Sequence, residues 1–198
     1  MGRKHIHMDK LLQEIRNCKI CEKYLELGVN PIISASAVSR IVIIGQAPGR
    51  KVHDTNIPWN DKSGDNLRSW MGIDKTVFYD PSMIALIPMG FCYPGKGKSG
   101  DLPPRIECAP LWHQKLLSQM PDVKLTLLIG QYAQGYYLGD VLKSSLTESV
   151  KNFRNYLPKY FLLPHPSPRN NIWQAKNKWF GIKVLPELKK QVSNILGV

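Results

Sequence analysis

Four short runs of consecutive apolar residues punctuate the chain: IVIIG (41–45), MIALIPM (83–89), LTLLIG (125–130) and YFLLP (160–164). None alternates with polar residues, and each runs into Gly or Pro. A strand with one wet face would alternate, whereas a parallel strand covered on both faces reads as an unbroken apolar run. Helical patterns fill the intervals. DKLLQEIRN (9–17) opens on Asp9 as an N-cap, and SGDNLRSWMG (63–72) begins with Ser and stops at Gly. ECAPLWHQKLLSQM (107–120) carries its apolar residues on one face, QYAQGYYLG (131–139) reads as a further helix, and two more are predicted over 170–180 and 183–196. Strands alternating with helices predict the α/β class, as a three-layer α/β/α sandwich around a central four-stranded parallel sheet.

The irregular segments are distributed unevenly. Residues 46–62, 90–107 and HPSPRNN (165–171) each follow a predicted strand and are rich in Gly, Pro and polar side chains. Ligands of open parallel sheets bind beyond the carboxyl ends of the strands, so these three segments mark the expected functional edge.

Composition narrows the class. With 198 residues and 43% apolar content, the whole chain (1–198) reads as a single domain with a substantial core. No apolar run approaches the roughly 20 residues of a membrane helix. The stretch MGRKHIHMDKLLQEIRN lacks the apolar segment of a signal peptide, so the cytoplasm is the expected compartment and no membrane partner is expected. Charge is more telling. Lys and Arg number 27 against 15 Asp and Glu, a formal +12. Such a surface favours polyanions, nucleic acid before anionic membrane.

GQAPG (45–49) closes the first apolar run. It is not GxGxxG and lacks the Lys-Ser/Thr of a P-loop, which argues against a nucleoside triphosphate site. It places backbone N–H groups and the Gln46 amide at a strand tip, where they can read base carbonyls or orient a water. HPSPRN (165–170) follows the last run. Its two prolines stiffen the loop and hold His165 where it can donate to an oxyanion. Arg169 is suited to bidentate phosphate contact.

Taken together, GQAPG after the first strand, IPW with a downstream KSGDNL, and HPSPRN after the last strand resemble the uracil-DNA glycosylase superfamily over about residues 18–180. The nearest resemblance is to the family 4, iron–sulfur group, whose first motif reads GEAPG. Cys18 and Cys21 form C-x2-C, and fifteen residues separate Cys92 from Cys108. Four thiolates suit a tetrahedral sulfur site, either iron–sulfur or zinc, and cytosolic disulfides are disfavoured. The resemblance implies a [4Fe–4S] cluster on these four cysteines, with zinc the alternative, as a structural tie between the N-terminal helix and the loop after the second strand.

The resemblance also implies an activity: hydrolysis of the N-glycosidic bond of uracil, or of another deaminated or damaged base, in DNA. The target base must first leave the stack. Trp59 would stack on it, Gly45, Gln46 and Ala47 would contact it and position water, and His165 would stabilise charge developing on uracil O2. Ser167, Arg169, Lys98, Lys176 and Lys178 would grip phosphates, with Lys96 and Arg105 adding to the basic loop. A monomer is expected.

Two positions depart from the family pattern. Gln46 replaces a Glu, and Gln cannot act as a general base. His53, Asp54, Asp61 and Asp65 lie nearby in the sequence, Asp54 being the first choice. The family's base-reading Asn falls at Pro88, which has neither an amide side chain nor a backbone N–H. Asn56, Asn60 or Asn66 would have to compensate. These departures keep open a DNA-binding member with altered or lost chemistry. A hydrolase of small nucleosides or nucleotides is a weaker alternative, because +12 exceeds what a small substrate requires.

Overall fold

The computed structural model describes residues 2–139 and 145–198. Among them the strands are β1 (Ile41–Ile44), β2 (Ile84–Leu86), β3 (Lys96–Gly97), β4 (Gly100–Asp101), β5 (Leu125–Ile129) and β6 (Tyr160–Leu163). The helices are α1 (Gly2–Arg16), α2 (Arg50–Thr55), α3 (Lys62–Met71), α4 (Lys75–Tyr79), α5 (Gln114–Ser118), α6 (Gly130–Leu138), α7 (Leu146–Lys151), α8 (Asn171–Lys176) and α9 (Leu185–Leu196). Strands β2-β1-β5-β6 form one sheet in that order, all parallel, and β3 and β4 form a separate antiparallel hairpin. In register, Ile41 lies opposite Ile84 on one side and Leu125 on the other.

The unbroken apolar runs are explained by burial on both faces. Val42, Ile44 and Leu128 point into one core with Met8, Leu12 and Ile15 of α1 and Leu116 of α5. Ile41, Ile43 and Leu127 point into the opposite core with Leu67 of α3, Phe78 of α4, Val150 of α7 and Val192 of α9. Successive strand residues alternate between the two cores, which gives the three expected layers. The stripe of α9 is Leu188, Val192 and Leu196, four residues apart and all buried. Helix α3 starts where Asp61 accepts a hydrogen bond from the Gly64 N–H (2.8 Å) and stops at Gly72, whose φ of +72° takes the left-handed cap.

Some boundaries differ from the sequence expectation. The segment 83–89 forms a strand only over Ile84–Leu86. Beyond it, Ile87 and Met89 still donate to the carbonyls of Ile43 and Gly45 (2.9 and 2.8 Å), while Pro88 turns its missing N–H to the sheet's outer edge. The helix expected over 107–120 begins as a π-helical turn, Ala109–His113, with Pro110 at its start. The one expected over 170–180 stops at Lys176. There the Asn177 side chain donates to the Trp173 carbonyl (2.8 Å) and its backbone leaves the helical region. Among the described residues no helix is long and apolar enough to cross a membrane.

Candidate active site

The chain leaves β1 for β2 on one side and reaches β5 on the other, so the sheet reverses direction of growth at β1. Beyond the carboxyl ends of β1, β2 and β6 lies a cavity of about 540 Å³. A cavity of this size at this edge is where an α/β sheet binds ligands.

Its floor is the turn after β1. The Met89 N–H donates to the Gly45 carbonyl and the Gly90 N–H to the Gln46 carbonyl (2.8 and 2.9 Å), which pins the turn to the segment after β2. Gly45 has no room for a side chain, because an added Cβ would sit 2.7 Å from Cζ2 of Trp59. The Trp59 indole therefore lies directly on the backbone of the turn.

Trp59 is held in an unusual conformation, φ +56°, which a bulky residue rarely adopts. Such strain costs of order 1–3 kcal/mol and persists where surrounding structure fixes it, typically at functional sites. The fixing groups are plain. The Trp59 carbonyl accepts from Nη1 of Arg68 (3.3 Å) and from the Tyr79 hydroxyl (3.4 Å). Arg68 is 5% exposed and pairs with Asp65 at 2.6 Å. Burial, partly offset by the Arg68 charge, pushes the Tyr79 hydroxyl above its ordinary pKa, so it remains a donor at neutral pH. Gly64 lets α3 approach so closely that an added Cβ would lie 1.8 Å from the Trp59 oxygen.

The imidazole of His165 faces the indole of Trp59, ring centroids 6.0 Å apart and 29° from parallel. Its loop is anchored from two sides. Nδ2 of Asn66 donates to the Pro166 carbonyl (2.8 Å), and Nδ2 of Asn170 donates to the His165 carbonyl (2.6 Å). The Ser167 N–H donates to Nδ1 of His165 (3.2 Å), so Nδ1 is an acceptor and the neutral ring carries its proton on Nε2. Burial pushes the His165 pKa below 6.5, against the charges of Asp61 and Asp101, which raise it. At neutral pH the residue is a neutral N–H donor in the cavity wall.

The structure brings Gly45, Gln46, Ala47, Trp59, His165, Ser167 and Arg169 to this one cavity. Others lie elsewhere. Asp54 does not line it; both its carboxylate oxygens accept from Nε of Arg50 (2.9 Å each) on the exposed side of α2. Lys98 and Lys176 are exposed outside the cavity wall, where they can meet a backbone but not a base. Of the other acids and histidine near the turn, only Asp61 lines the cavity. Asn56, Asn60 and Asn66 do not; Asn66 is committed to Pro166. Asp101 on β4 and Asn170 after the HPSP loop, to which the sequence analysis gives no role, also line it. Asp101 carries no local signal in the sequence, whereas Asn170 lies in the HPSPRNN segment that follows the last strand.

Pro88 also lines the cavity. Its carbonyl accepts from Nε2 of His113 (3.1 Å), whose Nδ1 in turn accepts from the Tyr137 hydroxyl (2.7 Å). A carbonyl can only accept, which fixes this tautomer. His113 is 2% exposed, and burial lowers its pKa to about 4, with the Pro88 carbonyl opposing that shift. An unfolded chain binds this proton from about pH 6.5 downward and the folded chain does not. Stability is therefore expected to be full above pH 6.5 and to fall by about 3 kcal/mol by pH 4, at about 1.4 kcal/mol per pK unit. Urea unfolding at several pH values checks this, and His113→Gln should remove most of the fall.

The four cysteines form a second locus. Cys18, Cys21, Cys92 and Cys108 line one void of about 20 Å³ with Phe91 and Arg105, and none is in a disulfide. Burial first, and the neighbouring cysteines after it, raise the Cys92 pKa to about 11 and that of Cys108 to about 12. Four thiols around one void, those of Cys21, Cys92 and Cys108 buried and that of Cys18 partly exposed, are the donor set that suits a soft metal centre. Among the described residues no group of three or more His, Cys, Asp or Glu side chains is placed so that it could hold a metal ion. The chemistry of the four sulfurs around one void suits a sulfur-ligated centre, but their placement forms no coordination geometry.

The family model of the uracil DNA glycosylase superfamily matches residues 34–189, which include the turn after β1, Trp59 and the His165 loop.

Proposed function

The chain belongs to the uracil-DNA glycosylase superfamily, and we propose that it hydrolyses the N-glycosidic bond of uracil, or of another deaminated base, in DNA. The observation that carries this reading is His165: a neutral imidazole in the cavity wall whose Nδ1 is occupied by a backbone N–H, leaving Nε2–H as the donor.

An extruded base would slide between the GQAPG turn and the HPSP loop. Its face would rest against Trp59, and its edge would meet Gln46 and the backbone of Ala47. As the glycosidic bond lengthens, negative charge gathers on the carbonyl oxygens of the departing base. The Nε2–H of His165, fixed before the reaction begins, stabilises that charge without reorganisation. Protonated imidazole would give a stronger donor, but burial keeps the ring neutral, so its role is electrostatic donation rather than full proton transfer. Arg169 and Ser167 at the cavity rim, with Lys96, Lys98 and Lys176 outside it, would hold phosphates and position the strand.

At Pro88, where the family pattern has an amide, this chain presents a prolyl ring whose carbonyl is already engaged by His113. Asn170 is the amide nearest in function, since it lines the cavity, although its Nδ2 is spent on the His165 carbonyl. The preferred base is thus open to deaminated bases other than uracil. The alternative of a small nucleoside substrate is tested by offering one uracil in a long oligonucleotide against free deoxyuridine. The proposal expects base release from the oligonucleotide alone, weakening steeply with salt.

A [4Fe–4S] cluster on Cys18, Cys21, Cys92 and Cys108 is part of this proposal. When bound, it would supply a structural cross-link between the end of α1 and the loop after β2. Ligand binding of this kind is folding free energy. Cys92→Ser is therefore expected to lower the melting temperature by 10 °C or more (about 3 kcal/mol or more at roughly 2–4 °C per kcal/mol) and to cut metal content. Unchanged melting in that variant, with neither iron nor zinc in the purified protein, would contradict the structural centre.

A further inference from the structure

We infer that Asp101, on the β3–β4 hairpin, is the carboxylate that orients the attacking water and accepts its proton; the assignment rests on the glycosylase reading above. The need for such a group is set by Gln46, whose amide can hold a water but cannot take a proton from it.

The acids close to the turn in sequence are engaged elsewhere. Asp54 is paired with Arg50, and Asp65 with Arg68. Asp61 lines the cavity, but its Oδ1 caps α3 through the Gly64 N–H. Asp101 arrives from a distant segment. It lines the cavity, and its Oδ2 lies 3.5 Å from where a Cβ on Gly49 would stand, against the turn that carries Gln46. Its Oδ1 accepts from the Tyr93 hydroxyl at 3.3 Å, which orients the carboxylate.

The hairpin that delivers it is fastened at both ends. Asp101 pairs with Lys96, and the Leu102 N–H donates to the Gly95 carbonyl at 2.9 Å. Nη1 of Arg169 donates to the Ser99 carbonyl at 3.4 Å, tying the hairpin tip to the loop that bears His165. Gly100 has φ +148°, which lets the chain pass close under Arg169. The two reactive groups thus reach one cavity on linked supports, with His165 serving the departing base and Asp101 serving the water.

The step balances without a further reactant. The C1′–N bond breaks and its electron pair leaves on the base, stabilised by His165. The water oxygen bonds to C1′, and its proton passes to the Asp101 carboxylate and then to solvent. The base anion takes a proton from solvent after release.

The test is single-turnover release of uracil from an oligonucleotide by the full chain carrying Asp101→Asn, Asp101→Ala or Asp54→Asn. Asparagine retains an acceptor for Tyr93, and Asp101 is exposed, so folding should be unaffected. Asp101→Asn is expected to lose on the order of 10²-fold in rate. Its affinity for the same DNA should be unchanged or tighter, because a negative charge beside a polyanion is removed. Asp101→Ala should regain rate on addition of formate, and Asp54→Asn should match wild type. Wild-type rates in Asp101→Asn, or loss in Asp54→Asn instead, would overturn the assignment while leaving the glycosylase reading intact. A wild-type chain that releases no base from strands carrying uracil, hypoxanthine or xanthine would overturn both.

Discussion

His165→Ala is expected to lower the single-turnover rate of base release by on the order of 10²–10³-fold, equivalent to about 3–4 kcal/mol of transition-state stabilisation, while leaving the melting temperature and DNA affinity close to wild type. The rate effect follows from what the imidazole does and when. Its Nε2–H interacts weakly with a ground-state carbonyl and strongly with the charge that appears as the bond breaks, so its loss falls on the rate rather than on binding. The small structural effect follows from its anchoring. The loop is held by Asn66 on the Pro166 carbonyl and Asn170 on the His165 carbonyl, both backbone contacts that survive truncation of the side chain. Because burial depresses the His165 pKa, the ring stays neutral as the pH falls through the ordinary histidine value of 6.5, so the wild-type rate should show no step there. Binding measured by fluorescence anisotropy and rates measured by quenched-flow separate these effects.

Gly64→Ala is the second large effect, and it acts on the fold. In an exposed helix this substitution would stabilise by up to about 1 kcal/mol. Here the new Cβ would lie 1.8 Å from the Trp59 carbonyl oxygen, a backbone atom that Arg68 and Tyr79 hold in place. Neither α3, whose Leu67 and Met71 are buried in the core, nor the Trp59 segment can retreat alone. A net loss of about 3 kcal/mol or more is expected, or roughly 6–12 °C in melting temperature for a chain of this size. Base release should fall as well, since Trp59 would leave its place over Gly45. Calorimetry and the rate assay read the two consequences independently. A melting temperature at or above wild type would contradict the close approach.

How much of this was readable in the sequence depends on the range of the forces involved. The sheet was legible because burial on both faces leaves unbroken apolar runs such as IVII and LTLLI, a local signature of a global arrangement. The cavity residues of GQAPG and HPSP were legible because each motif sits at a strand tip, where the fold itself brings tips together. Asp54 illustrates the limit. It is close to the turn in sequence, yet the helical periodicity of α2 sets it beside Arg50, four residues back, and away from the cavity. Asp101 illustrates the converse. It lies more than fifty residues from the turn, and only the two-residue hairpin and its contact with Arg169 bring it there. Nothing local to KGKSGD records that destination. The left-handed backbone at Trp59 was equally hidden, because it is imposed by Arg68, Tyr79 and Gly64 rather than by the residue itself.

The most direct measurement is the detection of free base. Purified wild-type chain is incubated with single- and double-stranded oligonucleotides carrying one uracil, hypoxanthine or xanthine, with undamaged strands as controls, and the supernatant is read by mass spectrometry. The account expects free base, with an equal yield of abasic sites, from at least one deaminated substrate and none from the undamaged strands. DNA binding with no free base from any of them would contradict the glycosylase reading, and would mark the chain as a superfamily member that grips DNA without cutting the glycosidic bond.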